Sequence, residues 1–266
     1  MVEEEHAVEE LSRFAVEAIR RCGNEALTYY GRGKSSLNFD EELVTQAEIR
    51  LWDLFQSQLQ ERFPEHKLFQ GDLGEDKDYT HGEQRYLWIF DPMDGVANFM
   101  AGIPIWATSV ALFDNFWPIL GAIYMPATED LFHAAAGGKA FWGDQEILVS
   151  RQESITDESV LLTYSRFHQH YRTTFPGKIR NLGSTAAHIC YVAMGRAEAA
   201  HIANESFQDL AAARVIIEAA GGGIFNMEGK PFIINDYLEE GQGDIHLLVA
   251  AEEKCRQVAE SLKRTY

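Results

Sequence analysis

The sequence of 266 residues lacks several features that would mark a special class of protein. It has no apolar run near the roughly 20 residues that a membrane-spanning helix needs, and its acidic start, MVEEEHAVEE, lacks the basic and apolar segments of a secretion signal. The three cysteines, Cys22, Cys190 and Cys255, are far apart and form no CxxC pair, which argues against a disulfide framework or a zinc cluster. We therefore expect a soluble, cytoplasmic globular protein with free, buried thiols.

Positive charge is also scarce. The chain has 23 Lys and Arg against 41 Asp and Glu, which gives a formal net charge of −18. So negative a protein repels polyanions, and we therefore expect neither a nucleic acid polymer nor a membrane as a partner. If the ligand is itself an anion, a metal ion or a helix N-terminus must reverse the field locally.

The hydrophobic pattern predicts two successive regions. In residues 1–150, helical spacing covers 7–29 and 41–62, and β patterns then follow at 86–90, 108–113, 118–124, 130–135 and 139–142. In residues 151–266, strands at 159–163 and 197–202 alternate with helices at 184–194 and 209–220, and strands near Ile224 and Leu247 precede a helix from Glu252. This alternation predicts an N-terminal α+β region and a C-terminal α/β region that packs on it.

The stretch WIFDPMDGVANF carries the first candidate site. Asp91 follows an apolar strand pattern, and Pro92 enforces an extended or turning path that directs Asp94 into the same space. Two adjacent carboxylates repel each other unless a cation or a proton intervenes, and hard oxygen ligands suit Mg²⁺. The alternative is a turn in which both aspartates only bind backbone amides.

The second candidate is Asp209, which opens the small, apolar stretch QDLAAARVIIEAAGGG. On its own, this aspartate is explained as a helix N-cap. A third stretch, RFHQHYR at 166–172, is interpreted either as a substrate-contacting loop or, more simply, as solvated surface.

Taken together, the motifs resemble those of the inositol monophosphatase family. DPMDGVANF is similar to its D-P-[ILM]-D-G-[TS]-x-N-F signature, and QDLAAARVIIEAAGG is similar to W-D-x-A-A…E-A-G-G. ELVTQAE, FPEHKLFQGD and NLGSTAAHICYVAMGRAEAA also resemble family segments, in the family's order and over nearly the whole chain.

The resemblance implies an α/β (α+β) fold, a layered αβαβα sandwich, and a homodimer. It further implies a Mg²⁺-dependent phosphatase that uses two or three ions to hydrolyse a small phosphorylated substrate with a metal-activated water. By motif matching, the metal ligands are Asp91, Met93 through its carbonyl, Asp94, Asp209 and either Asp72 or Glu75 of the loop.

The same matching assigns the remaining roles. The catalytic residues are Asp72, Asp91, Asp94 and Glu48, and the substrate or phosphate is bound by Gly95, Val96, Gly183, Ser184 and Thr185. A helix N-cap explains Ser184 and Thr185 equally well.

The chain departs from the family pattern at the residues that, by the resemblance, position the attacking water. Val96 stands in place of the usual hydroxyl residue, Glu48 in place of an aspartate and Asp72 in place of a glutamate. Because valine cannot donate or accept a hydrogen bond through its side chain, phosphate binding can survive while turnover falls.

The substrate side departs as well. Ile202 replaces an acid that clasps inositol, and Gln208 replaces the motif tryptophan, while Glu205 lies nearby but outside that register. A different sugar phosphate, a histidinol-phosphate-like amine or a nucleotide phosphate therefore remains open as substrate. The alternatives to an enzyme are a weakened homologue that binds metal and a phosphorylated ligand as a sensor or partner subunit, and a purely structural cation site.

Overall fold

The computed structural model describes residues 2–34, 40–69, 85–115, 117–233 and 245–265. The helices of this part of the chain are α1 (Val2–Ala26), α2 (Glu41–Arg62), α3 (Val96–Ala101), α4 (Phe167–His170), α5 (Thr185–Ala193), α6 (Phe207–Ala219) and α7 (Glu252–Ser261). The strands are β1 (Lys67–Leu68), β2 (Tyr86–Asp94), β3 (Ala107–Asp114), β4 (Trp117–Met125), β5 (Asp130–Ala135), β6 (Ala140–Trp142), β7 (Gln145–Ile147), β8 (Val160–Thr163), β9 (Tyr171–Thr173), β10 (Lys178–Arg180), β11 (Ala199–Ala203), β12 (Gly223–Asn226), β13 (His246–Ala250) and β14 (Leu262–Arg264).

Two sheets organise the molecule. The larger contains β1 to β7 in sequence order, and all its neighbours are antiparallel except the parallel pair β1 and β2. The smaller has the order β10-β8-β11-β13-β12, with parallel pairing among β10, β8 and β11. A separate antiparallel ribbon joins β9 to β14.

The side chains of β2 show how the layers form. Trp88 and Phe90 point into one core with α1 and α2, whereas Leu87 and Ile89 point into a second core with α5 and α6. Because both faces of the large sheet are covered, its strands are apolar throughout rather than alternating with polar residues. The second core also takes one face of the small sheet, and α4 and α7 cover the other face.

The resulting order is helices, sheet, helices, sheet, helices, which confirms the predicted αβαβα sandwich. The three cysteines are buried and form no disulfide, as expected. In the portion of the chain with described structure, no helix is long and apolar enough to cross a membrane. The division into regions 1–150 and 151–266 stays a prediction, although the two sheets do lie on either side of residue 150.

Small residues let α6 lie close to the large sheet. A Cβ atom added at Gly121 of β4 would stand 2.4 Å from the carbonyl oxygen of Ala212. Ala211 and Ala213, the neighbours of Ala212, are also buried. The alanines after Asp209 therefore bring the first turns of α6 against the sheet that carries the DPMDG stretch.

Local signals place most boundaries well, and α2 keeps its predicted bounds. The Asp40 side chain accepts a hydrogen bond from the Leu43 N–H, and Pro64 follows just after the helix ends.

Two local predictions are wrong. Strand β2 continues beyond Phe90 to Asp94, and 166–172 is not a loop but forms α4 and part of β9. The stretch is mostly exposed, as its interpretation as solvated surface predicts, but Phe167 and Tyr171 are buried in the core.

Candidate metal and phosphate site

A β-bulge brings Asp91 and Asp94 to one side of the large sheet. Asp91 pairs with Ser109 and Asp94 with Ala107, so that three steps along β2 match two along β3. In a regular strand, residues three apart point to opposite faces, and one extra residue reverses that relation. Pro92, which cannot donate to the ladder, lies inside the bulge, and the Asp91 Oδ1 accepts the Met93 N–H at 3.0 Å.

The start of α5 holds Asp94. Its Oδ2 accepts hydrogen bonds from the Ser184 hydroxyl at 2.5 Å and from the Ala186 N–H at 2.7 Å. The same hydroxyl accepts the Ala187 N–H at 3.1 Å, so Ser184 caps the helix and binds the aspartate at once. Burial raises the pKa of Asp94, while these donors oppose the increase and the charge of Asp209 adds to it.

Asp209 lies in the first turn of α6, but it is not the N-cap that the sequence predicted. Ser206 is the N-cap: its hydroxyl accepts the Asp209 N–H at 3.3 Å, and the Asp209 Oδ2 accepts the Ser206 N–H at 2.6 Å. The two residues thus form a capping box, which fixes the aspartate side chain at the helix start. Burial raises the pKa of Asp209, and hydrogen bonding of its carboxyl to the backbone and side chain of Ser206 opposes the increase.

Asp91 lies where these acids meet. Burial raises the pKa of its carboxyl well above the usual range, and the charges of Asp209 and Asp94 raise it further. Glu48 of α2 adds a smaller increase, while the Met93 N–H opposes it. Burial also raises the pKa of Glu48 itself. Three elements, β2, α2 and α6, therefore bring four predicted site residues within electrostatic range of one another.

The backbone beside these acids is tightly packed. Gly95 has φ +83°, and a Cβ there would lie 3.1 Å from the carbonyl oxygens of Gly183 and Ile105. Gly183 has φ +77°, and a Cβ there would meet the Asn98 side-chain amide at 2.7 Å. Both positions therefore require glycine. Val96 begins α3 next to Gly95 and packs its side chain against the core of α1 and α2.

Asn98 is a structural residue of the site to which sequence reasoning assigned no role. Its Nδ2 donates to the Ile105 carbonyl at 2.6 Å and to the Leu182 carbonyl at 2.7 Å. It therefore joins α3 to the segment that precedes α5. The sequence feature that could have indicated this role is the asparagine of the DGVANF motif.

The donor set fits a hard divalent cation by its chemistry. Asp91, Asp94 and Asp209 supply only oxygen atoms, and their mutual repulsion would be relieved by a bound cation. No three His, Cys, Asp or Glu side chains of the described residues are, however, arranged so that they could hold one ion. Two acids are instead turned to protein donors, at Ser184 and Ser206. The predicted loop ligands Asp72 and Glu75 lie outside the described residues.

A further polar contact lies beside the acids. The Thr185 hydroxyl donates to the Glu205 Oε1 at 2.7 Å. Ile202, which occupies the register of an inositol-binding acid, is fully buried in the core between the sheets. Glu205 thus lies near the site, whereas Ile202 is buried in the core and cannot reach it.

Comparison with known proteins identifies the family. The family model of inositol monophosphatases matches residues 7–260, so the chain belongs to the inositol monophosphatase family. An inositol-1-monophosphatase of Mesorhizobium japonicum is 29% identical over 240 residues, which cover 85% of this chain and 87% of the relative. A histidinol-phosphatase of Chlorobaculum parvum is 30% identical, with coverage of 84% and 88%. The solved structure of a Thermotoga maritima inositol monophosphatase shares the fold, with a TM-score of 0.75, 23% identity and coverage of 94% and 95%.

Proposed function

We propose that this chain is a Mg²⁺-dependent phosphomonoesterase that hydrolyses a small sugar, polyol or related phosphate. The observation that carries the proposal is the meeting of Asp91, Asp94 and Asp209, which come from two distant parts of the chain. The family membership and the names of the relatives support phosphate-ester hydrolysis as the reaction class.

The roles follow from position. Asp91, Asp94, Asp209 and the Met93 carbonyl would hold the ions, with Asp72 or Glu75 as the loop ligand. Bound Mg²⁺ supplies charge neutralisation of the phosphate and activation of a water for attack. The N–H groups of Gly95 and Val96 bind the phosphate, and Glu48 helps to orient the water.

Val96 favours a second candidate function. Its side chain packs on the core and offers no hydrogen bond, so one group that would orient the water is missing. Loss of a single positioning group lowers the rate by roughly 10²-fold. The second candidate is thus a weakened family member that binds metal and a phosphorylated ligand as a sensor or partner subunit.

Phosphate release separates the two candidates. We would test inositol, sugar, histidinol and nucleotide monophosphates in millimolar Mg²⁺ with the wild type, Val96→Thr and Asp91→Asn. Release by the wild type that Asp91→Asn abolishes supports the enzyme. Thermal stabilisation by an ester, with no release by any variant, supports the binding protein.

Asp114→Asn is the matched control. It makes the same chemical change at the far end of β3, where Asp114 pairs with Arg85 on the surface. We expect it to leave phosphate release unchanged. If Asp114→Asn and Asp91→Asn reduce release equally, the proposed function is wrong.

The homodimer, which the family resemblance implies, and the cytoplasmic location, which the composition suggests, also remain proposals. Light scattering at micromolar concentration tests the first. A mass of two chains supports the dimer, and a mass of one chain contradicts it.

A further inference from the structure

His188 lies in α5, one turn after Ser184, and its side chain is almost fully buried. Its Nε2 accepts a hydrogen bond from the Leu182 N–H at 2.9 Å. Because an imidazole nitrogen that accepts a hydrogen bond carries no proton, the ring is neutral and its hydrogen lies on Nδ1. Burial favours the same state, since it lowers the pKa of His188 to about 4. His188 therefore binds the backbone of Leu182 as a neutral acceptor, a contact to which the proposed hydrolysis gives no role.

The second ring nitrogen of His188 argues against a role in stability alone. Nδ1 is buried and has no hydrogen-bond partner among the described residues. A buried N–H group without a partner destabilises a fold. A leucine of similar size would avoid that cost, although it would leave the Leu182 N–H unpaired instead. The ring thus gives the fold little net stability through hydrogen bonds, and a contribution to the nearby site explains it better.

The segment that His188 binds borders the proposed site on two sides. Leu182 precedes Gly183 and Ser184, and the Ser184 hydroxyl donates to the Asp94 Oδ2 at 2.5 Å. The Gly183 carbonyl oxygen lies 3.1 Å from the point where a Cβ atom of Gly95 would stand. A shift of residues 182–184 would therefore move both the proposed metal ligand Asp94 and the N–H of Gly95, which we propose to bind phosphate.

Side chains bind both backbone groups of Leu182. This residue lies outside the helices and strands, so neither group has a partner in regular secondary structure. His188 accepts from the N–H, and the Asn98 Nδ2 donates to the carbonyl at 2.7 Å. The same Asn98 Nδ2 donates to the Ile105 carbonyl at 2.6 Å. The position of Leu182 between α3 and α5 is therefore fixed by two side chains, one from each helix.

Resting on the proposed function, we propose that His188 is a positioning residue of the active site. Through Leu182 and Ser184, it fixes the carboxylate of Asp94 relative to the phosphate-binding N–H of Gly95. Removal of a group that orients a metal ligand typically lowers metal affinity or activity by about 10- to 100-fold. Because His188 acts through the intervening backbone, we expect an effect at the lower end of this range.

His188→Leu removes the acceptor and keeps a buried side chain of similar size. The dissociation constant for Mg²⁺, measured by calorimetric titration in the presence of inorganic phosphate, should rise by about 10-fold. With the monophosphate that the wild type hydrolyses fastest, kcat/KM should fall by about 10-fold at subsaturating Mg²⁺ and recover in part at saturating Mg²⁺. A role in stability alone predicts neither change in the folded protein.

His188→Gln tests whether the acceptor is the group that matters. The amide oxygen of glutamine can take the place of Nε2 and accept the same Leu182 N–H. Both the Mg²⁺ dissociation constant and kcat/KM should therefore lie within about 3-fold of the wild-type values. Equal impairment of His188→Gln and His188→Leu would overturn the proposal.

His201→Leu is the matched control, because it makes the same change at another buried imidazole whose nitrogens have no partner among the described residues. His201 lies among Tyr164, Phe167 and Tyr171, on the face of the small sheet that α4 covers. Its Mg²⁺ affinity and kcat/KM should equal those of the wild type. Equal impairment of His201→Leu and His188→Leu would overturn the proposal, and so would wild-type values in His188→Leu.

Absence of both Mg²⁺ binding and hydrolysis in the wild type would count against the proposed function, and amide hydrogen exchange in the metal-free protein would then test His188. The Ala186 N–H donates to the Asp94 Oδ2 at 2.7 Å and therefore reports on the position of that carboxylate. His188→Leu should speed exchange at Ala186 by about 10-fold and leave exchange at Val249, in the buried strand β13, unchanged. An equal change at both amides, or at neither, would overturn the proposal.

Discussion

Glu198 and Asp91 are acids withdrawn from water in the same molecule, yet their surroundings are opposite. Glu198 forms an ion pair with Lys254, and Ser150 donates to its Oε1 at 2.9 Å. Lys254 in turn donates to the Ser150 carbonyl at 3.2 Å, so the charges and the donors are satisfied inside the fold.

Asp91 has acids as its charged neighbours. In the described part of the chain, no Lys, Arg or His forms an ion pair with Asp91, Asp94 or Asp209. Buried charges are normally paired or bind metals. The comparison agrees with a fold-stabilising role for Glu198 and with the cation site that we propose at the acids around Asp91.

The largest effect should follow from Asp91→Asn. We expect phosphate release in Mg²⁺ to fall by about 10³-fold or more, because metal-supplied charge stabilisation contributes several kcal/mol. The free energy of unfolding without added cation should stay equal or rise by about 1 kcal/mol, since a repelled carboxyl is removed. Chemical denaturation together with a phosphate assay measures both quantities. Strong destabilisation of Asp91→Asn in the absence of Mg²⁺ would contradict this account, because Asp91 would then stabilise the fold as Glu198 does.

Lys254→Met should show the opposite pattern. It leaves Glu198 buried without its cation, and we expect the free energy of unfolding to fall by about 3–5 kcal/mol. The activity of the remaining folded protein should be unchanged. The double variant with Glu198→Leu should recover most of the lost stability, as measured by denaturant midpoints. If the single and double variants are equally unstable, the ion pair is not what stabilises this region.

The buried side chain of His201 makes the stability of the fold depend on pH, which adds a buried base to the comparison. His201 is fully buried among Tyr164, Phe167 and Tyr171, and neither ring nitrogen has a hydrogen-bond partner among the described residues. Burial, and to a smaller extent the nearby His246, lowers the pKa of His201 to about 3. The unfolded chain, with a pKa of about 6.5, therefore binds the proton first as pH falls.

Stability should decrease as pH falls from about 6.5 towards 3, and the contribution of His201 should be on the order of 2–3 kcal/mol between pH 6.5 and 4.5. His201→Leu should reduce this loss, as measured by denaturation at both pH values. His168→Leu, at an exposed position, serves as control. Equal pH dependence in the wild type and His201→Leu would show that His201 is not buried as a neutral ring.

The smallest effect should follow from Val96→Thr, which restores a hydroxyl beside the acids. We expect kcat to rise by roughly 10-fold, somewhat less than the full contribution of a well-placed group, because Glu48 and Asp72 also depart from the family pattern. Val96→Ala removes packing without adding a hydroxyl and is the matched control. An equal change in both variants would assign the effect to packing instead of water orientation.

Local sequence signals predicted most of the long helices and strands and the proximity of Asp91 and Asp94, whereas the order of the layers was predicted from the family resemblance. The apolar spacing of 41–62 and the proline that follows it predicted α2, and apolar runs predicted the longer strands of the large sheet. The bulge was not predicted, because a proline after a strand pattern normally indicates the end of the strand, and here Pro92 lies inside β2. Asp209 was linked to Asp91 only through family resemblance, since no local pattern connects residues more than a hundred positions apart.

Other contacts depend on tertiary packing alone. The Glu205–Thr185 bond and the binding of Asp94 by the start of α5 arise where separate elements meet. The short helix α3 and the ribbon of β9 and β14 have too few residues to show a periodicity. Contacts with the buried His201 place Phe167 and Tyr171 in the core, although the rest of 166–172 is exposed.

Calorimetric titration with Mg²⁺ in the presence of inorganic phosphate tests the central claim most directly. We expect the wild type and Asp114→Asn to bind the cation, and Asp91→Asn and Asp209→Asn to lose that binding. Equal binding heats in all four proteins, or none in the wild type, would contradict a cation site formed by these acids.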